Sequence, residues 1–412
     1  MMRIAVIGSG IAGLAACRAL AGRAQVVLFE AASRPGGHVA TVDVPNGPPV
    51  DLGFIVFNEA RYPHFTRMLA ELGVASRASD MGFSVFRPDG GLELGSHDLG
   101  AVFAQRRNLL RPAHYRRLAA MLRFLRRAER DLARGAARDL TLDAYLDRSG
   151  AGASVRAELV EPLASALWSL APDRVGAFPA ESFLRFLHQH DMLRPLVSPR
   201  WRTVVGGSRA YVEALLHRLP VELRLDTPVI RISRGDVGPM VDDEPFDRVI
   251  LATQADTSLT LLAQPSEAQR AVLGAIRFSD NEAWLHTDAS VMPRARAAWA
   301  SWNCPIEPDR SRAGVTYWMN RLQGLPGPTD YFVTLNPARP IAPGAVLHRQ
   351  RFAHPIFDAA AIRAQAGLAA VQGSGGVYLC GAWTGWGFHE DGMRSGLAAA
   401  ARVLATAHRE AA

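Results

Sequence analysis

The chain has 412 residues, enough for two or three domains at about 150 residues each. It is 49% hydrophobic and 21% charged, which excludes a disordered or collagen-like chain, and no apolar stretch approaches the ~18 residues that span a bilayer. The net charge is +7 and all 46 basic residues are arginine, so mechanisms that need a lysine (Schiff bases, pyridoxal phosphate, Walker-type phosphate binding) are excluded.

In chain order, the apolar run 3–7 reads as a buried parallel strand. Gly8-Ser9-Gly10-Ile11-Ala12-Gly13 follows, then a helix over 14–21 and a second strand over 25–29 that ends at Glu30. A helix is predicted over 60–75 and a hairpin over 83–94, around Pro88-Asp89-Gly90-Gly91. Residues 98–195 read as mostly helical. Val205-Gly206-Gly207-Ser208 opens a helix over 211–218, and strands are predicted at 221–225, 228–233 and 247–252. Short strands and Pro/Gly turns alternate over 281–350. The chain closes with a strand over 376–380, a glycine-rich loop and a helix over 392–407. Nucleotide-type elements at both ends and in the middle imply one domain interrupted by another.

Charge is concentrated in one place. Residues 106–138 hold eleven arginines and only two acids, Glu129 and Asp131, a net +9 in a chain of +7. Leu118, Met121, Leu122, Leu125 and Leu132 share one helical face there, with Arg116, Arg123, Arg127, Arg130 and Arg134 opposite. Two readings stand side by side: a solvated helix packed on its own domain, or a surface for anionic lipid headgroups or an acidic substrate. No nucleic-acid module accompanies the patch, so nucleic acid is not expected as a partner. Cys17, Cys304 and Cys380 are too scattered for a disulfide framework or a zinc site, and no metal is expected. With a glycine fingerprint already at Gly8 and no secretory signal ahead of it, the expected location is the cytoplasm, with peripheral contact on the inner membrane face through 106–138.

Gly8, Gly10 and Gly13 form G-x-G-x-x-G between a strand and a helix, with Glu30 ending the next strand. The first glycine allows the tight turn, the second lets backbone approach a pyrophosphate, and the third lets helix and strand pack closely. Phosphates then sit at the helix N-terminus, and Glu30 accepts from an adenosine ribose. That predicts NAD or FAD, and Glu30 disfavours NADP because a 2′-phosphate would meet a carboxylate.

Beyond Glu30 lie Ala31-Ala32-Ser33-Arg34-Pro35-Gly36-Gly37-His38 and Asp51-Leu52-Gly53-Phe54. E-x3-R-x-G-G with D-x-G-F resembles the flavin-containing amine oxidase superfamily. The resemblance continues at Val204-Val205-Gly206-Gly207, Thr227-Pro228-Val229, residues 248–253, Leu379-Cys380-Gly381-Ala382 and Asp391-Gly392-Met393-Arg394-Ser395-Gly396. The ending G-F-H-E-D-G-x-R-S-G is similar to a bacterial subgroup associated with methyl-branched fatty acyl lipids and furan fatty acids.

The resemblance implies an α/β fold, a Rossmann-like, GR2-type FAD-binding domain (1–80, 200–265 and 372–412) interrupted by a mixed α+β substrate domain (81–199 and 266–371). It implies non-covalent FAD, with Arg34 at the pyrophosphate and Gly36, Gly37 and His38 along the flavin. Val229 would hold the adenine, and Gly381 and Ala382 the ribityl chain. The helix beginning near Gly392 and Met393 would point its N-terminus at the N1/O2 edge. Gly53 and Phe54 belong to the same cofactor set, as do Ile11, Ala12 and Ala31. Ala382 replaces the family's usual acid, so Asp391 is expected to substitute for it. The absent lysine removes the group that holds a water near flavin N5 in many amine oxidases. His389 and Glu390 are the candidates for acid–base work, with His354 a second and more structural histidine. Trp383, Trp386 and Phe388 are expected to wall the flavin.

The function expected is an FAD-dependent oxidase or desaturase taking hydride and proton from a long apolar acyl substrate. The alternatives are an amine oxidase on a soluble amine, a redox-neutral isomerase or mutase, and a non-catalytic FAD- or NAD-binding protein. The oligomeric state is left open.

Overall fold

The structure, a computed structural model, describes residues 1–168, 170–194, 200–310 and 314–411. Strand β1 (Arg3–Ile7) runs through the glycine loop into helix α1 (Ile11–Leu20), followed by β2 (Gln25–Phe29). Helix α2 (Pro63–Leu72) precedes the hairpin β3 (Phe83–Phe86) and β4 (Glu93–Gly95). Helix α3 (Pro112–Ala133) opens a helical stretch that extends to α4 (Ala180–Gln189). Then come α5 (Arg209–Arg218), β5 (Val221–Arg224) and β6 (Arg248–Leu251). A block of strands follows: β7 (Phe278–His286), β8 (Trp302–Pro305), β9 (Val315–Trp318), β10 (Phe332–Leu335) and β11 (Val346–Pro355). Strand β12 (Val377–Leu379) and helix α6 (His389–Ala411) complete the chain.

The first sheet has the order β5-β2-β1-β6-β12, parallel throughout. Its central strands β1, β2 and β6 are apolar at every position after the first, because both faces are covered. Ile4, Val6, Val26, Leu28 and Ile250 face the cluster built on α1, α2, α5 and α6. Ala5, Ile7, Val27, Phe29 and Leu251 face the opposite cluster. The second sheet has the order β11-β7-β10-β9-β8-β3-β4, antiparallel except between β8 and β3. It draws strands from 83–95 and 278–355, on either side of α5, β5 and β6 in sequence. The expected domain break at 199/200 adjoins residues 195–199, which lie outside the described residues.

Helices α1 and α6 meet backbone to backbone. A Cβ on Gly396 would stand 2.0 Å from the Ala12 carbonyl oxygen, and one on Gly13 would stand 1.9 Å from that of Gly8. Glycine at these two positions draws the starts of both helices onto the same loop. A buried carboxylate ties this unit to the rest of the molecule. Asp51 accepts from the Ser208 N–H (2.9 Å) and hydroxyl (2.9 Å), the Thr41 hydroxyl (2.5 Å) and the Gln323 amide (3.1 Å).

Three local expectations need correction. The strand expected at 228–233 is reduced to Ile232–Arg234, because the Asp242 carboxylate takes the N–H groups of Ile230 and Arg231. The last helix starts at His389, three residues before the expected Gly392. Leu122 leaves the apolar stripe of α3: Met121, Phe124, Leu125 and Ala128 are buried, whereas Leu122 is 40% exposed.

Candidate functional site

The C-terminal ends of β1 and β2 set the first half of the site. Glu30 accepts from the Ser9 N–H (3.0 Å) and hydroxyl (2.5 Å) and from the Ala32 N–H (2.9 Å). Two carboxylate oxygens offer about four acceptor positions, so one remains for a ribose hydroxyl. The Ser9 hydroxyl also receives the Gly36 N–H at 3.0 Å, which ties the glycine loop to the second glycine turn. Arg34 reaches across that turn and donates to the carbonyls of Val39 (2.7 Å) and Gly37 (3.3 Å). Partial burial lowers its pKa, opposed by Glu30. The Val229 segment is held beside Glu30 by two backbone bonds, Thr227 N–H to the Glu30 carbonyl (2.9 Å) and Asp226 N–H to that of Ala32 (3.1 Å). Ala31 is exposed next to it. These residues, far apart in the chain, converge on one end of the site.

At the other end, the Phe54 N–H donates to the His38 carbonyl (3.0 Å), and a Cβ on Gly53 would stand 2.0 Å from that same oxygen. Phe54 stacks on His389, with ring centres 3.6 Å apart and 9° between planes. Phe65 meets the His389 ring edge-on. His389 Nε2 lies 2.6 Å from the Tyr211 hydroxyl. Burial pushes His389 well below, and Tyr211 well above, its ordinary pKa, so both are neutral. The buried phenol has no other acceptor among the described residues and therefore donates to Nε2. That bond occupies the basic nitrogen of His389.

The two acids that follow also have structural partners. Glu390 Oε1 accepts the His64 N–H (2.9 Å) and Oε2 the Phe65 N–H (3.1 Å), so Glu390 caps the N-terminus of α2. The cap is a structural role for Glu390, set beside the acid–base role expected of it. Asp391 Oδ2 accepts from the N–H groups of Trp386 (2.9 Å) and Phe388 (3.2 Å), and Oδ1 from Arg394 (2.7 Å). It closes the loop before α6. Gly381 is fixed to α6 through its N–H to the Ser395 hydroxyl, at 2.9 Å. Ala382 accepts the Gly385 and Gly387 N–H groups, each at 3.1 Å. Ile11, Ala12 and Met393 bury their side chains in the core, leaving the site only their backbone at the starts of α1 and α6. Cys380 points into the same core, where burial pushes its thiol up.

The second sheet faces His38 through β11. His38 lies 5.2 Å from Phe352 and 5.6 Å from His354, ring centre to ring centre. His354 Nδ1 receives the Asn281 amide N–H at 3.1 Å; Asn281 in turn donates to the Ser279 carbonyl and accepts from Asn336. Burial and the neighbouring His38 lower His354 to about 3. His38 is also lowered by the surrounding protein, and a backbone hydrogen bond at Ala353 opposes the shift. The residue as a whole is nonetheless exposed.

The three aromatic residues expected at the wall separate. Trp383 is 3% exposed in the core beneath β6 and β12 and donates its indole N–H to the Thr253 carbonyl (3.0 Å), so it is removed from the wall. Trp386 stays half-buried near Phe357, and Phe388 stacks on Phe186 at 4.7 Å. Ser9 and Tyr211 were missed from sequence. Ser9 is the variable residue inside G-x-G, and Tyr211 follows the Gly206-Gly207 turn by one helical turn; neither position signals its partner.

The groove fits a dinucleotide. A Cβ on Gly10 would meet nothing within 4 Å, so open space lies before the N-terminus of α1. Gly36 and Gly37, with φ of +114° and +58°, fold the second turn against it. A Cβ on Gly392 would stand 2.7 Å from Ile11, which puts the start of α6 beside the start of α1. Two helix N-termini on one groove favour an anionic pyrophosphate and a reduced, negatively charged ring.

A family model described as flavin containing amine oxidoreductase matches residues 11–283. Solved structures share the fold over nearly the whole chain. A putrescine oxidase variant is 14% identical, with 98% of this chain and 99% of that one covered and a TM-score of 0.73. Cyclohexylamine oxidase from Brevibacterium oxydans IH-35A is 15% identical, with 99% of each chain covered and a TM-score of 0.70. A CLA-producing fatty acid isomerase from P. acnes is 16% identical, with 97% and 98% covered and a TM-score of 0.70.

Proposed function

Because the chain belongs to the flavin-containing amine oxidoreductase family and its cofactor is FAD, we propose that it oxidises a long apolar acyl substrate, as an oxidase or desaturase. One observation carries the substrate class. The acids at the site, Glu390, Asp391 and Asp51, all have both oxygens engaged with protein donors. Glu390 is compensated by a helix N-terminus and Asp391 by Arg394, so a cationic amine would find no uncompensated negative charge among them. What remains are aromatic rings (Phe54, Phe352, Phe388, Trp386) and neutral imidazoles. Such a lining favours an uncharged, apolar chain.

FAD, when bound, would supply the acceptor for a substrate hydride. The chain's own residues supply the rest. Glu30 and Arg34 hold the adenosine and pyrophosphate end, and Phe54 fixes His389. His389 and His354 each have their basic nitrogen occupied, by Tyr211 and Asn281. Of the three histidines, His38 is the exposed one. We assign the proton acceptor to His38. FAD is held non-covalently, since Cys380 faces the core.

Anaerobic mixing of the yellow holoprotein with methyl-branched acyl lipids, and separately with primary amines, tests this reading. Bleaching of the flavin by the lipids alone is expected. Bleaching by amines alone would overturn the substrate class, and product formation with no net use of an electron acceptor would identify an isomerase.

A further inference from the structure

The arginine segment is more sharply organised on the surface than its sequence suggests. Arg117 turns inward to Glu158 (2.6 Å), Arg127 pairs with Asp131 (3.2 Å), and Arg138 lies 4.0 Å from Glu181. Arg106, Arg111, Arg116, Arg123, Arg126 and Arg134 are exposed and have no acidic partner among the described residues. Around them lie apolar side chains that the fold leaves outside. Leu110 is 89% exposed, Leu109 45%, Tyr115 48% and Leu122 40%. The Tyr115 hydroxyl bonds the Leu109 carbonyl at 2.9 Å, so the turn before α3 and the first turn of α3 form one surface.

Along α3, seven-residue spacing aligns Tyr115 with Leu122, and Arg116 with Arg123, on adjacent outward strips. The inward face is complete without them, since His114, Met121, Phe124, Leu125 and Ala128 fill it. Unpaired like charges one turn apart destabilise a free helix, and exposed leucines do nothing for solubility. Together they match a surface that is apolar in its interior and anionic at its boundary.

We propose that the turn 106–111 and the outer face of α3 dock this protein on an anionic lipid bilayer. The arginines meet headgroup phosphates, and Leu109, Leu110, Tyr115 and Leu122 enter the acyl boundary. A polynucleotide would satisfy the arginines but offers no apolar layer to the leucines. The docking surface shares an apolar cluster with the candidate site, running from Phe124 and Leu125 through Phe186 to Phe388. The proposal stands on the surface alone and does not depend on the acyl substrate.

Vesicle flotation of the FAD-loaded protein is the test. It compares phosphatidylcholine alone with phosphatidylcholine plus phosphatidylglycerol, at low and high salt. Binding only to the anionic vesicles, weakened by salt, is expected. Arg116→Gln, Arg123→Gln and Arg126→Gln together should weaken it on the order of a hundredfold, at about fivefold per arginine. Leu109→Ser with Leu110→Ser should separately weaken binding while leaving the arginines in place. Flavin absorbance per protein checks that each variant is folded. Equal binding to neutral vesicles, no binding to either, or a triple variant that floats like wild type overturns the proposal. So does a leucine variant with full vesicle binding, above all if duplex DNA binds as tightly, because the patch would then be a plain polyanion surface.

Discussion

At the scale of single residues, the site is decided by which lone pairs are free. Glu30 keeps one acceptor position while bonding Ser9 and Ala32. Glu30→Ala should weaken FAD binding by about 1–3 kcal/mol, the range for a lost charge-assisted hydrogen bond. Titration of the apoprotein with FAD checks this; unchanged affinity would mean that Glu30 serves only the glycine loop. Glu390 and His38 form a contrasting pair. Glu390→Gln should cost about 1 kcal/mol of stability through the α2 cap and leave flavin reduction within a few-fold of wild type. His38→Asn should slow reduction about 10²-fold or more while FAD stays bound. Stopped-flow reduction and urea denaturation of both variants separate the roles, and the opposite pattern would return Glu390 to the chemistry.

At the scale of elements, α1 and α6 approach backbone to backbone, where Gly396 lies against Ala12. The contact aligns the first turns of both helices on one groove, so packing and cofactor binding are the same geometric fact. Gly396→Ala puts a methyl group 2.0 Å from a carbonyl oxygen and must push the helices apart. A loss of about 1–3 kcal/mol is expected, the range for overpacking, together with weaker FAD retention on dilution. Ala substitution at Gly206, where a Cβ would meet no neighbour but φ is +81°, serves as a comparison for backbone strain alone. If both variants retain FAD equally well, close approach of α1 and α6 is not what shapes the groove.

At the scale of the whole molecule, the histidines dominate the response to acid. Burial lowers His38, His97, His114, His190, His286, His354 and His389, with His286 reaching about 4 and His354 about 3. Below their ordinary value of 6.5 the unfolded chain binds protons that the folded chain does not, so stability falls as pH drops. Each histidine that stays neutral contributes at most about 1.4 kcal/mol per pH unit. Asp51, Glu390 and Asp391 act in the opposite sense, since burial raises all three. Asp51 goes from 3.8 to about 6, so its contribution to stability falls as pH rises between those values. Seven groups outweigh three, and urea midpoints of the holoprotein should drop between pH 7 and pH 5.5. Asp51→Asn should steepen that drop by removing one opposing contribution, whereas a flat profile would show that the histidines are hydrated.

What the sequence determined by itself was local: a glycine loop between an apolar strand and a helix, an acid at the end of the next strand, and the turns that carry Arg34, Gly36 and Gly37. These depend on the backbone conformations and apolar periodicity of neighbouring residues, which short spacings express, and they sufficed for the α/β class, the family and the cofactor. The roles of the acids and histidines depended on partners that spacing cannot reveal. Glu390 caps a helix 326 positions away, and His389 meets Tyr211 at a separation of 178. Trp383, one loop from Trp386, belongs to the core because its indole finds the Thr253 carbonyl beneath the sheet. Leu122 reads as part of an apolar stripe, but the neighbours of α3 cover only the side of Met121 and Leu125. Only the tertiary structure decides such matters, because a hydrogen bond or a buried face is a property of two surfaces, and the chain brings the second from far away.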